Sequence, residues 1–299
     1  MNELISPARE RDPPNGRDPF DGAERTIGAL LVRAGTLNPA EVERILEAQR
    51  QDGRRFGESG RELGLLEQRD IDFVLSRQFD YPCLRRGESR VSELLIAAYD
   101  PASPQVEALR ALRSELMLHW FGDDAAHKSL AVMSEARGEG RSYIAASLAV
   151  VLAQLGGRTL LIDADLRNPS QHRLFGLDNR IGLSALLSGR AGAEAVQRVP
   201  GLESLSVLPS GVTPPNPQEL LARPSLGALL EQITAHLDFI VFDTPPAAES
   251  ADAQTIAARA RAALFVARKN HSRLWRLQAI ARSVAGARTT VLGAVLNDF

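Results

Sequence analysis

The sequence predicts an α/β fold, a mostly parallel sheet with helices on both faces, preceded by a small helical module. Three observations carry that expectation. From Val106 to Phe299 the short apolar runs "LAVM", "TLLID", "LSVLP", "FIVFD", "AALFV" and "VLGAVLN" alternate with stretches of helical spacing, the pattern of strands buried on both faces. From Thr26 to about Leu84 the apolar residues fall instead at helical intervals, with Gly and Pro between short segments. A chain of 299 residues at 44% hydrophobic content can bury the core of one or two domains.

Taken in order, residues 1–23 are rich in Pro, Gly, Asp and Arg and are expected to form a disordered tail. The opening "MNELISPARERDPPNGRDPFDG" lacks the apolar stretch of a signal peptide. No apolar run approaches the ~20 residues of a membrane helix. A cytoplasmic protein is expected, recruited to the inner face of the cell membrane only through a partner. The single cysteine, Cys83, excludes an intramolecular disulfide framework and fits a reducing compartment. A net charge of −2 and a pI near 6.3 leave no basic footprint, so no nucleic-acid partner is expected.

The helical module, residues 24–84, repeats itself. "IGALLVRAGTLNPAEVERILEAQ" (Ile27–Gln49) aligns without gaps on "FGESGRELGLLEQRDIDFVLSRQ" (Phe56–Gln78), matching Gly28 with Gly57, Gly35 with Gly64, Leu37 with Leu66, and Gln49 with Gln78. Each copy reads as a short helix, a glycine turn and a second helix, started in the first copy by Asn38-Pro39. The segment 85–105 shifts in composition and holds two prolines, so it is expected to be a linker, with a strand or a turn of helix near Val91–Tyr99. The α/β domain then occupies 106–299.

In parallel sheets, ligands bind at the carboxyl ends of the strands. "SLAVM" (Ser129–Met133) reads as a strand and Tyr143–Leu155 as a helix, joined by "SEARGEGRS". Gly138 and Gly140 let backbone amides turn inward around phosphate oxygens, and the helix N-terminus adds its positive dipole end. Ser142 stands where a hydroxyl would meet Mg²⁺. The following strand, "TLLIDADLRNP", presents Asp163 and Asp165, and "FIVFDTPPA" delivers Asp243 in the same way. Carboxylates at the tips of buried strands are costly unless a cation or a donor answers them; capping of the following helices is the plainer reading of the same residues.

Together "SEARGEGRS", "LLIDADLRNP" and "FIVFDTPP" resemble the Walker A, A′ and B motifs of the bacterial tyrosine kinases, the autokinases of exopolysaccharide export. "PPNPQELL" (Pro214–Leu221) and "VLGAVLN" (Val291–Asn297) are similar to that family too, and "EALRALR" resembles its ring-forming ExxRxxR motif through Glu107, Arg110 and Arg113. The resemblance implies a Rossmann-like, MinD/ParA-type P-loop NTPase domain that binds ATP and Mg²⁺ and phosphorylates tyrosine on a neighbouring subunit. By position, Arg137, Gly138, Glu139, Gly140, Arg141, Ser142 and Tyr143 would form the nucleotide site. Ser142, Asp163 and Asp243 would serve the metal, and Arg141, Asp163 and Asp165 the chemistry. The resemblance further implies a homo-oligomer, possible as a ring, working with a transmembrane chain-length determinant to set exopolysaccharide chain length, polymerisation and export.

Two residue patterns depart from that family. Arg141 replaces the Walker lysine, in a chain whose only lysines are Lys128 and Lys269; a planar guanidinium still pairs with phosphate but aligns it differently from a compact ammonium. The sequence ends in "LNDF" without the family's tyrosine cluster, leaving Tyr81, Tyr99 and Tyr143. The expectation is nucleotide binding with slow phosphoryl transfer, and the alternatives are a ring-forming pseudokinase of the same pathway or a MinD/ParA-like ATPase. The repeat module resembles the N-terminal domain of type II secretion ATPases, some of which bind cyclic di-GMP. Here Arg55 leads the second copy, whereas Thr26 leads the first and Gly60 replaces an apolar residue of the unit; a docking module is the stronger expectation.

Overall fold

Each of the six apolar runs is a strand in the structure, a computed structural model that describes residues 26–78, 81–122, 127–224 and 236–298. The expected tail lies outside the described residues. The chain divides into two units, Met1–Phe79 and Asp80–Phe299.

Among its described residues the first unit contains four helices, α1 (Ile27–Arg33), α2 (Pro39–Asp52), α3 (Phe56–Glu62) and α4 (Gln68–Gln78). The repeat in sequence is a repeat in packing. A Cβ on Gly28 would stand 2.9 Å from Val42, and one on Gly57 would stand 2.9 Å from Ile71, so each glycine lets the two helices of its copy approach closely. The start of α2 is closed by a capping box in which Asn38 Oδ1 accepts from Glu41 N at 3.0 Å and Glu41 Oε2 from Asn38 N at 2.7 Å. At the matching place Asp70 accepts from Glu67 N at 2.9 Å. Leu31, Leu37, Ile45, Leu66, Ile71 and Val74 form the core. Gly60 occupies the place of Leu31 because the space is taken: its Cβ would lie 2.6 Å from Leu66.

In the second unit α5 (Ile96–Tyr99) and α6 (Pro104–His119) precede the sheet. The expected linker 85–105 is part of this unit. Val91, Leu95, Ala97 and Ala98 are buried in the core beneath the sheet, and Ser92 N donates to Leu174 O at 2.7 Å. The prolines misled because Pro104 opens a helix, capped by Ser103, instead of marking a flexible stretch. The sheet follows as β1 (Ser129–Ser134), α7 (Arg141–Ala153), β2 (Thr159–Asp163), α8 (Gln171–Phe175), α9 (Leu183–Leu187), β3 (Gln197–Val199), β4 (Leu202–Leu208), α10 (Pro217–Ala222), β5 (Phe239–Asp243), α11 (Asp252–Ala260), β6 (Ala262–Arg268), α12 (Leu274–Gly286) and β7 (Thr290–Asn297).

The strand order is β3-β4-β2-β5-β1-β6-β7, parallel except for the antiparallel edge pair β3–β4. Strand β3 has three residues, too short to give a periodic signal in sequence. Alternate residues of each inner strand enter opposite cores. Leu130, Val132 and Val241 pack with α6 and α7 on one face, while Ala131, Met133, Ile240 and Phe242 pack with α9, α10, α11 and α12 on the other. The α7 sequence is buried over nearly its whole length, as befits a helix between the sheet and an outer layer.

Candidate functional site

Strands β2, β5 and β1 lie side by side at the centre of the sheet, so their carboxyl ends open onto one crevice. Asp163 closes β2 and Asp243 closes β5 as register partners, and β1 runs directly into the glycine loop. Gly138 and Gly140 have φ of 76° and 90°. A Cβ on Gly138 would meet nothing within 4 Å, so backbone conformation, not crowding, calls for glycine there. Gly140 is the N-cap of α7 and offers no side-chain acceptor, leaving first-turn amides that have no carbonyl partner inside the helix. The loop borders a cavity of about 240 Å³ together with Ser142, Asp165, Asn168 and Pro246.

Arg141 points into the carboxylates. Its Nε donates to Asp243 Oδ1 at 3.1 Å, its Nη2 to Asp165 Oδ2 at 3.2 Å and its Nη1 to Ser134 Oγ at 3.0 Å. All four residues are buried. The second Asp243 oxygen accepts from Gln171 Nε2 at 2.7 Å, and the same amide nitrogen reaches Ser142 O at 3.0 Å. Asp165 Oδ1 accepts the backbone amides of Arg167 and Asn168 at 3.2 and 2.9 Å. Asp163 Oδ2 accepts those of Ser170 and Gln171, both at 2.9 Å. The remaining oxygen, Asp163 Oδ1, is buried without a partner. Burial, and next the Asp243 charge, push the Asp163 carboxyl well above the usual range. Asp165 is also raised by burial, against the pull of its backbone donors and of Arg141.

The other expected site residues divide between binding and bracing. Glu139 is nearly fully buried, but its carboxylate folds back to accept from Ala136 N at 2.8 Å and from the Ser272 hydroxyl. Its carboxylate is thus engaged by protein donors and turned away from the loop's open side. Arg137 is exposed and forks onto Glu249 at 2.5 and 2.7 Å. Ser142 is half-buried at the first turn of α7. Tyr143 is half-buried, packs against the core and also lines the cavity beside Ser142. Glu107, Arg110 and Arg113 lie apart, on α6. There Glu107 pairs with Arg110 at 3.0 Å, Arg110 donates to the Tyr81 hydroxyl at 3.0 Å, and Arg113 donates to Val151 O at 2.8 Å.

Several residues of the site were not anticipated. Gln171 ties the Asp243 carboxylate to α7, and the Ser134 hydroxyl accepts from Arg141. Asn297 Nδ2 donates to Glu139 O at 3.1 Å, Arg268 Nη1 to Gly138 O at 3.2 Å, and Arg276 pairs with Glu135 at 3.0 Å. Asn297 and Arg268 end β7 and β6, and the strand-end rule that picked out the aspartates would have found them too. Among the described residues no group of three His, Cys, Asp or Glu side chains is placed to hold a metal ion. The donor set that fits a Mg²⁺–nucleotide is therefore narrow: the open Asp163 Oδ1, the Ser142 hydroxyl and the loop amides.

A phosphate-loop fold of this kind, with paired aspartates at neighbouring strand ends, defines the class, and comparison with known proteins gives the family. A model of the ParA family, described as NUBPL iron-transfer P-loop NTPase, matches residues 125–297. Tyrosine-protein kinase YwqD of Bacillus subtilis (strain 168) is 35% identical over 209 residues, covering 70% of this chain and 87% of that protein. Putative tyrosine-protein kinase CapB of Staphylococcus aureus is 36% identical over 218 residues, covering 72% and 92%. Among solved structures, the kinase domain of Escherichia coli tyrosine kinase ETK superposes with a TM-score of 0.67 at 31% identity, over 72% of this chain and 83% of that one. The chain belongs to the bacterial tyrosine-protein kinase family, with a ParA/MinD-like P-loop NTPase domain. No described helix is long and apolar enough to cross a membrane.

Proposed function

We propose that the chain is an ATP-dependent protein tyrosine kinase of exopolysaccharide production, acting in the cytoplasm beside a transmembrane chain-length determinant. The observation that carries this reading is the convergence of the glycine loop, Asp163, Asp165 and Asp243 on one crevice, in a chain 35% identical to a tyrosine-protein kinase over most of both lengths.

The amides of residues 138–142 would hold the phosphates, and Ser142 with Asp163 Oδ1 would hold Mg²⁺, which when bound neutralises phosphate charge. In the transfer, a tyrosine oxygen bonds to the γ-phosphorus as the bond to ADP breaks. The hydroxyl proton goes to Asp163 in its ionised form, the carboxylate of the three that keeps an oxygen without a protein donor. The hydroxyl comes from another chain. Tyr99 is buried with its hydroxyl on Val91 O, Tyr81 is engaged by Gln154 and Arg110, and Tyr143 is fixed in the first turn of α7 as part of the cavity wall. Oligomerisation through α6 would rest mainly on the exposed carboxylate of Glu107, since both arginines have partners within the unit.

A second reading, an ATP-binding assembly protein with little transfer, is favoured by one observation: Arg141 spends its donors on Asp165, Asp243 and Ser134. Radiolabelled ATP, supplied with and without the cytoplasmic tail of a chain-length protein, separates the two. Phosphotyrosine formed by the native chain supports the kinase. Phosphotyrosine formed only by Arg141→Lys supports the assembly protein, and none in either removes the kinase reading.

A further inference from the structure

Three carboxylates and one guanidinium meet at the strand tips, and the distribution of their hydrogen bonds is uneven. Of the six carboxylate oxygens, five already accept from a protein donor; Asp163 Oδ1 alone is open. Both oxygens of Asp243 are taken, one by Arg141 Nε and the other by Gln171 Nε2. Both oxygens of Asp165 are taken as well, one by Arg141 Nη2 and the other by two backbone amides. A Mg²⁺ ion approaching this crevice finds two of its three aspartates engaged at both oxygens and facing a positive charge.

The pairing suits arginine in particular. Its three nitrogens lie in one plane and diverge, so Nε and Nη2 span two carboxylates while Nη1 reaches Ser134 Oγ. Guanidinium is also more weakly hydrated than ammonium and is the better cation for a buried ion pair. Lysine has a single nitrogen, which cannot occupy all three places at once. The cation sits at 8% side-chain exposure against carboxylates at 4% and 0%, where solvent does little to screen it.

We propose that Arg141 acts as an internal counter-ion that takes over the divalent cation's charge at Asp165 and Asp243, so that the crevice accepts a nucleoside diphosphate with little dependence on Mg²⁺. The proposal rests on the reading of this crevice as a nucleotide site. The diphosphate is then held by the loop amides and the dipole end of α7, groups that act on an anion without a metal. Arg141 thereby sets the site's metal requirement.

The test is calorimetric titration of the full chain with ADP, once in EDTA and once in excess Mg²⁺, for the native protein and for Arg141→Lys. The native chain is expected to gain less than about fivefold in affinity from Mg²⁺, and the lysine variant more than about fivefold, because its freed carboxylate oxygens become available to the ion. A native gain above that mark overturns the proposal, as does a variant with the native's weak dependence. Absence of ADP binding in both buffers overturns the nucleotide-site reading itself, a result distinct from strong Mg²⁺ dependence. If Arg141→Lys does not fold, the native pair of titrations still decides.

Discussion

Replacing Arg141 by alanine removes the cation that pairs with both Asp165 and Asp243, two buried carboxylates. The native guanidinium sits 3.1 Å from Asp243 and 3.2 Å from Asp165 with side-chain exposures of 8%, 0% and 4%, so no discount for solvent screening applies. Removing one partner of such a buried pair costs about 3–5 kcal/mol. In a domain of this size that lowers Tm by about 10 °C. The cost is capped by protonation: Asp165 is already raised by burial and held down by Arg141, so once unpaired it takes up a proton instead of staying charged. The loss at pH 5 is therefore expected to be smaller than at pH 8. Thermal unfolding followed by circular dichroism at the two pH values measures both quantities. A variant within about 1 °C of the native protein at pH 8 would refute the reasoning, and so would an equal loss at both pH values.

Three other perturbations probe separate parts of the account. Asp163 has its folded carboxyl raised above the unfolded value by burial and by Asp243, so the native state holds a proton that the unfolded chain releases. The stability it contributes is present at low pH and is lost as pH climbs from the ordinary carboxylate value through the raised one. Asp163→Asn, which keeps an oxygen for the Ser170 and Gln171 amides, is expected to gain stability over the native chain as pH rises from 4 to 8, and a constant difference in urea midpoint would contradict this. Gln171→Leu strips a 2.7 Å donor from Asp243 Oδ2 and should cost about 1–3 kcal/mol in urea unfolding; an unchanged midpoint would show that the bond is idle. In the helical module Gly60→Leu drives a side chain into Leu66, 2.6 Å from the new Cβ, and should destabilise that unit by about 1–3 kcal/mol, read as faster amide exchange over residues 26–78. The same module is expected to give no heat with cyclic di-GMP in the full chain. Thr26 stands in place of the leading arginine and caps α1 through its hydroxyl, and measurable binding would reverse that assignment.

What the sequence made legible is what repeats or alternates. The strands that end in Asp163 and Asp243 are unbroken apolar runs closed by a carboxylate, and such runs have few other homes than the centre of a parallel sheet. The helical repeat showed because each copy must place its glycine where two helices cross, and Gly28 and Gly57 do so against Val42 and Ile71. Less legible was the segment 85–105, whose prolines outweighed Val91, Leu95, Ala97 and Ala98, the residues that seat it in the core. Side-chain direction was not legible at all. Glu139 lies within the phosphate-loop motif, yet it turns its carboxylate onto Ala136 N and Ser272. Arg141 stands in the lysine position, but its partner choice depends on where Asp165, Asp243 and Ser134 arrive from three different segments. Gln171 carries no motif signal. It matters because α8 starts beside Asp243, a fact of tertiary structure alone.

A crystal structure of the chain with a non-hydrolysable ATP analogue tests the central claim most directly. The account expects the β-phosphate within hydrogen-bonding distance of the amides of residues 138–142, with the Arg141 guanidinium still on Asp165 and Asp243. A nucleotide seated away from that loop would contradict the account of the site, and an Arg141 swung onto the phosphates would contradict its role as the crevice's own counter-ion.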